Sequence, residues 1–296
     1  MLAGLFALLA VAQIVLNPPK EAGTISVDVN LVNVTCTART AHGGYVADLT
    51  KDDFELREDG HKRDIAFFAR EVDSPLTIAL LLDVSGSVAM VIPEEREGAN
   101  QFFAQVMRPG DKAMLVGFAQ LVQVWQDLTP HMDFIHEALG NAGPIEVPSA
   151  EAIEMRPRGG TLLYDAVKLV TERKLERMPG RKAIILVTDG LDNGSIAKPD
   201  EATRAAQSAD TAVYVIHYAN TRGLPPMEKM ANATGGRAVH VSEDKLSEVF
   251  KSIADELHHQ YGIGFTPAKE DKEFHKIELK CKRAGVKVQA RTGYRK

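Results

Sequence analysis

"LTIALLLDVSGSVAM", Leu76 to Met90, is the stretch on which the fold turns. Apart from Thr77 it is apolar from Leu76 to Leu82, and then it stops at Asp83, with Ser85 and Ser87 at alternate positions beyond. A strand apolar on both faces belongs in a largely parallel sheet with helices on either side. The end of such a strand is where open α/β sheets place their sites.

Working outward, "KAMLVGF" (Lys112 to Phe118), "KAIILVTD" (Lys182 to Asp189) and "TAVYVIHY" (Thr211 to Tyr218) read as further buried strands. Helical spacing lies between them. Ala99, Phe102, Phe103 and Val106 form one apolar stripe; Leu163, Ala166, Val167 and Val170 form another; Leu246, Val249, Phe250 and Ile253 form a third. Ser242 is the expected N-cap of the last helix, with Glu243 and Asp244 in its first turn. Leu121 to Leu128 follows a strand too closely for a crossover helix, so it reads as an antiparallel edge strand. Strands alternating with helices predict an α/β class with a doubly wound, mostly parallel, Rossmann-like sheet over residues 74–259.

The flanks are β-rich. In "ISVDVNLVNVTC" (Ile25 to Cys36) apolar residues alternate, and a change of phase after Leu31 predicts a bulge. "AHGG" (Ala41 to Gly44) is a turn, and "DFELREDGHKRDIAFFA" reads as two short strands around Asp59-Gly60. After the α/β region, "FHKIELKCKR" and "GVKVQAR" alternate, with Ala284-Gly285 expected to join them as a hairpin. A lone hairpin is marginal in water. Residues 22–73 and 260–296 are therefore expected to pair into one β-sandwich, with the α/β domain inserted between its strands. Cys36 and Cys281 share the phase of inward residues, one in each flank, which predicts that they meet in that core, bridged as a disulfide or as two buried free thiols.

Residues 1–12 read as a signal peptide: Leu2 to Ala12 is apolar, and Ala10-Val11-Ala12 suits a signal-peptidase site. The run is short for a membrane span, so membrane contact is expected only through this segment if it stays uncleaved. The chain of 296 residues carries a formal net charge of −5 with scattered Lys and Arg, which argues against nucleic acid as a partner.

Three loops converge at the strand ends. They bring Asp83, Ser85 and Ser87; Gly159-Gly160-Thr161 ahead of a helix; and Asp189 with Gly190. The donors are carboxylates and hydroxyls with no thiolate or imidazole, a set that suits Mg²⁺, Mn²⁺ or Ca²⁺ rather than zinc or copper. Taken singly, each piece also reads as a helix cap or turn. Asp165 reads equally as support for the site or as an exposed helical acid. His258-His259 do not share a helix face and read as a solvated helix end; His217 reads as structural.

Asp-x-Ser-x-Ser after an apolar strand, a later Gly-Gly-Thr turn and a later Asp-Gly resemble the von Willebrand factor type A domain. The resemblance implies that Asp83, Ser85, Ser87, Thr161 and Asp189 form a metal-ion-dependent adhesion site. "LTKDDFELREDG" before the domain and the Phe-His-Lys-Ile-Glu-Leu to Ala-Arg-Thr-Gly-Tyr ending are similar to flanks of exported bacterial proteins related to that family. The implied function is an exported, periplasmic, envelope-associated or secreted protein-binding module. Its metal would keep a position for an Asp or Glu of a partner protein. Two other readings stand beside it: an envelope scaffold whose metal only ties three loops, and a metal-dependent hydrolase. Against the hydrolase, Ser85 occupies the position where an aspartyl-phosphate enzyme needs its second Asp, and "DVSGS" lacks Gly-x-Ser-x-Gly. No enzymatic activity is expected.

Overall fold

The computed structural model describes residues 31–70, 74–85, 92–145, 160–189, 192–218, 224–268 and 272–295. The predicted signal segment, the alternating residues 25–30 with the change of phase, Ser87, Gly159 and Gly190 lie outside the described residues.

The N-terminal flank supplies β1 (Val32–Thr40), β2 (Phe54–Glu58), β3 (His61–Arg63) and β4 (Ile65–Arg70). The α/β region runs through β5 (Leu76–Asp83), α1 (Ile92–Val106), β6 (Lys112–Phe118), β7 (Val122–Thr129), α2 (Met132–Asn141), α3 (Leu163–Val170), β8 (Arg181–Thr188), α4 (Pro199–Ser208), β9 (Thr211–His217), α5 (Leu224–Thr234), β10 (Ala238–His240) and α6 (Leu246–Leu257). The C-terminal flank adds β11 (Gln260–Phe265), β12 (His275–Cys281), β13 (Val286–Ala290) and β14 (Gly293–Tyr294).

The central sheet has the order β10-β9-β8-β5-β6-β7, parallel except for β7, which runs antiparallel on β6 at the edge. Every residue of β5 is buried. Ile78, Leu80 and Leu82 pack on one side with Phe102 and Phe103 of α1 and Phe250 of α6. Ala79 and Leu81 pack on the other with Val167 of α3, Ala202 of α4 and Met230 of α5. Successive residues of a strand face opposite ways, so an unbroken apolar run requires a helical layer on each face. Gly117 in β6 has a local reason: a Cβ there would lie 2.2 Å from the Trp125 ring, which covers the strand.

Strands of both flanks interleave in two antiparallel sheets, β13-β1-β11-β4 and β14-β12-β2-β3. Their shared core contains Val34, Cys36, Phe54, Leu56, Tyr261, Ile263, Phe265, Ile277 and Tyr294. Charged contacts join this sandwich to the α/β layers. The buried Glu256 of α6 accepts hydrogen bonds from Arg39 of β1 and, at 2.7 Å, from Arg237. Arg291 donates to the carbonyls of Gln207 and Asn33, tying the C-terminal flank to both neighbours.

One alternative is decided and three expectations need correction. Cys36 and Cys281 face the same core but are not bridged. They come from opposite sheets, Cys36 from β1 and Cys281 from β12, so shared phase brings them into one core without bonding geometry. The turn at Ala284-Gly285 does not close a hairpin: β12 pairs with β2, β13 pairs with β1, and the chain crosses from one sheet to the other. The stretch around Asp59-Gly60 makes three strands, because the chain changes sheet after β3 and β4 pairs with β11. The last helix begins at Leu246, after a 3-10 turn over Glu243–Lys245, so Ser242 precedes that turn and does not cap the helix.

Candidate metal site

β5 and β8 are adjacent and parallel, with Leu82 opposite Val187. Their ends therefore bring Asp83 beside Thr188 and Asp189. Asp83 is wholly buried. Its Oδ2 accepts a 2.7 Å hydrogen bond from the Thr188 hydroxyl, and its Oδ1 accepts the Ser85 backbone N–H at 3.0 Å. The second bond is the local turn that Asp favours after a strand.

Burial pushes the Asp83 carboxyl up to about 6; the bonds from Thr188 and Ser85 pull it down, and the negative charge of Asp189 raises it further. A carboxylate held in low dielectric beside a second acid is a poor place for net negative charge. A divalent cation between these acids would relieve both penalties. In this respect the residues fit the metal that the sequence implied.

Thr161 is buried and is held from two sides. The next residue, Leu162, donates its N–H to the Ala119 carbonyl beyond β6, and the Thr161 carbonyl accepts the Gly194 N–H at 3.3 Å. Asn193 Oδ1 accepts the Thr161 N–H at 2.6 Å. Gly160 precedes with φ +134°, and a Cβ there would lie 2.4 Å from Asn193 Oδ1, so the close approach requires glycine.

Around Thr161 runs a clasp made by the loop after β8. Asp192 Oδ1 accepts the Leu163 N–H at 3.1 Å and the Ser195 hydroxyl at 2.6 Å. The Ser195 oxygen accepts the N–H groups of Tyr164 and Asp165. Asp165 returns the contact, its two carboxylate oxygens accepting the N–H groups of Ile196 at 2.9 Å and Ala197 at 2.8 Å. The first turn of α3 is thereby satisfied by the loop after β8, and that loop by α3. The clasp answers the question left open for Asp165: it supports the loops. Only the Asp192-Asn193-Gly194 composition hinted at any of this.

Beneath the strand ends lie groups that sequence reading passed over. Glu95 of α1 is fully buried, and Tyr218, just past β9, is buried near it. Burial pushes the Tyr218 hydroxyl far up, and the charges of Glu95, Asp83 and Asp189 push it the same way. A polar tip closing an apolar strand was the available signal for Tyr218; nothing in the sequence marks Glu95.

The histidines that the sequence singled out are held by neighbours within the fold. His217 is buried, with Nδ1 2.9 Å from Nδ1 of His240; burial first and the neighbouring imidazole second lower its pKa. His258 and His259 point apart, one to the Val106 carbonyl at 3.2 Å, the other to the Asp255 carbonyl and stacked on Tyr45. They are half-buried, not a solvated end. Among the described residues no group of three or more His, Cys, Asp or Glu gathers as a metal nest.

The sequence profile of the von Willebrand factor type A domain matches residues 77–256. The chain belongs to the von Willebrand factor type A domain family. This domain is similar in structure to proximal thread matrix protein 1 from the mussel byssus, with a TM-score of 0.52 and 18% identity over 66% of this chain and 49% of that one. A second structure of the mussel protein, with a zinc-occupied MIDAS motif, gives a TM-score of 0.50 and 20% identity over 64% of this chain and 50% of that one. At such identities the likeness concerns the fold. The chain spans about half the length of these mussel chains. No curated protein sequence matches it.

Proposed function

We propose that this von Willebrand factor A domain is an exported protein-binding module that holds one divalent cation with Asp83, Ser85, Ser87, Thr161 and Asp189. The cation would keep a coordination position for the carboxylate of a partner protein. The observation that carries the reading is the pairing of Asp83 and Asp189 at adjacent strand ends, with Asp83 sealed from water.

Each residue of this chain has a definable task. Thr188 and the Ser85 N–H orient the Asp83 carboxylate from below. The hydroxyls of Ser85, Ser87 and Thr161 are neutral donors, so they would leave the charge of the cation undiminished and its attraction for an incoming anion intact. The clasp around Asp165, Asp192, Asn193 and Ser195 keeps the loops in register before any partner arrives, which lowers the ordering entropy of binding. The mussel protein's motif takes zinc. Here the all-oxygen set favours Mg²⁺, Mn²⁺ or Ca²⁺. The proposal assigns no catalytic step. Export rests on the apolar N-terminal segment. Among the described residues no helix is long and apolar enough to cross a membrane.

Isothermal titration with Mg²⁺ and Mn²⁺ tests the site. The wild-type chain is expected to bind one ion, and Asp83→Ala to bind none while its circular dichroism stays native. Equal affinity in both chains would overturn the assignment.

A further inference from the structure

Where the sandwich strands β1 and β11 meet the N-terminal ends of β8 and β9 lies a cavity of about 20 Å³. Three cationic side chains line it: Arg181 and Lys182 of β8, and Arg291 just past β13. Asp210 is the one acid among the described residues that do so. The parallel strands place their C-terminal ends, and with them Asp83 and Asp189, at the opposite edge of the sheet.

Arg181 and Arg291 are only 5% and 7% exposed. A guanidinium sealed this far from water cannot shed its charge by losing a proton. Arg181 donates to neutral acceptors, the carbonyls of Ser74 and Leu257 and Gln260 Oε1. Arg291 likewise gives its Nη1 and Nη2 to the carbonyls of Gln207 and Asn33. Its buried Nε has no hydrogen-bond partner, and Asp210 Oδ1 lies 3.4 Å away on a side chain partly open to water. Lys182 reports the same crowding. Burial lowers its pKa and the charge of Arg291 lowers it further, against the pull of Asp210.

Neutral acceptors satisfy N–H groups but leave buried charge uncancelled. A water in the cavity would answer the orphan Nε and nothing more. A monatomic anion would answer the N–H and offset the excess of cations together. About 10–15 Å³ admits one water-sized particle, so this space accepts a halide and is too small for sulfate or phosphate. We infer that the seam cavity is a binding site for one halide ion, chloride in ordinary buffers, held by Arg291 from the sandwich and by Arg181 and Lys182 from the α/β domain. The ion makes the attachment of the two halves chloride-dependent. The inference does not rest on the metal-site reading.

The test uses the full chain. Crystals grown in sodium bromide are expected to show an anomalous peak in the cavity, within hydrogen-bond distance of Arg291 Nε. Thermal unfolding in potassium chloride is expected about 3 °C above that in potassium gluconate of equal ionic strength, with a rise that saturates. Arg291→Gln is expected to lose that difference. Because this change also cuts the bonds to Gln207 and Asn33, Lys182→Met is the second variant. It keeps both bonds and is expected to raise the chloride midpoint at least about tenfold. A water in place of bromide, equal melting in chloride and gluconate, or a salt response that never saturates and is unchanged in Lys182→Met would each overturn the site.

Discussion

Two buried carboxylates show how differently the two halves of the molecule treat the same problem. Glu58, in the sandwich, and Asp83, at the end of β5, are both fully inaccessible to solvent. Glu58 accepts from the Tyr294 hydroxyl at 2.5 Å, from Arg63 Nε at 2.7 Å and from the Ala268 N–H at 2.9 Å. Burial alone would raise its pKa, but the bonds from Tyr294, Ala268 and Arg63 outweigh burial and hold the carboxyl below its ordinary range. Beside it His275 stacks on Tyr294 and bonds Asp59 at 2.9 Å. Asp83 has the Thr188 hydroxyl and the N–H and hydroxyl of Ser85, faces another acid, and is pushed up to about 6. The saturated acid is a fastener for the C-terminal strand. The acid that has no cationic side chain against it among the described residues is the one expected to recruit a cation from solution.

The largest effect should come from removing the fastener. Glu58→Ala leaves Arg63 and the Tyr294 hydroxyl without their buried partner, and is expected to destabilise the chain by about 4 kcal/mol in urea unfolding. A loss below about 1 kcal/mol would break the contrast. The sign with pH follows from the lowered folded pKa: the Glu58 contribution is present above the unfolded value and is lost as pH falls through the folded one.

Asp83 should show the opposite slope in chelator. Its folded pKa lies above the unfolded value of about 3.9, so the native state holds the proton more tightly, and stability falls as pH rises from about 4 to about 6. By pH 7 this group alone is expected to remove about 3 kcal/mol, a loss that Asp83→Asn abolishes. Saturating Mg²⁺ should flatten the slope in the wild type, because the cation then favours the ionised form. A stability curve that Asp83→Asn leaves unchanged would break this half of the comparison.

The smallest effect belongs to the clasp. Asp165→Ala strips two backbone N–H groups of their acceptor at an edge open to water, with an expected loss of about 1 kcal/mol. Titration calorimetry should show metal affinity weakened far less than by Asp83→Ala. If Asp165→Ala abolishes metal binding, Asp165 does more than hold loops.

The parallel sheet was legible because its strands are apolar on both faces, a pattern that only a doubly covered sheet satisfies. So was the antiparallel edge at β7, from the short connection behind Phe118, and so were the stripes of α1, α3 and α6. The strand ends themselves were legible as local features, and Asp83 and Asp189 end adjacent parallel strands. The sandwich was legible as two β-rich flanks too small to stand alone, which pair into one core around the inserted domain. Its strand partners could not be read, since alternation gives the face of a strand and not its neighbour. For that reason an expected β12–β13 hairpin became strands of two sheets, and the choice between a Cys36–Cys281 bridge and two free thiols stayed open until the strands were placed on opposite sheets. Likewise, nothing local distinguishes the multiply bonded Glu58, the buried Asp83 beside a second acid, and Asp165 with its two loop N–H groups. Those environments depend on how many donors the rest of the chain brings to each carboxylate, which is a consequence of long-range packing.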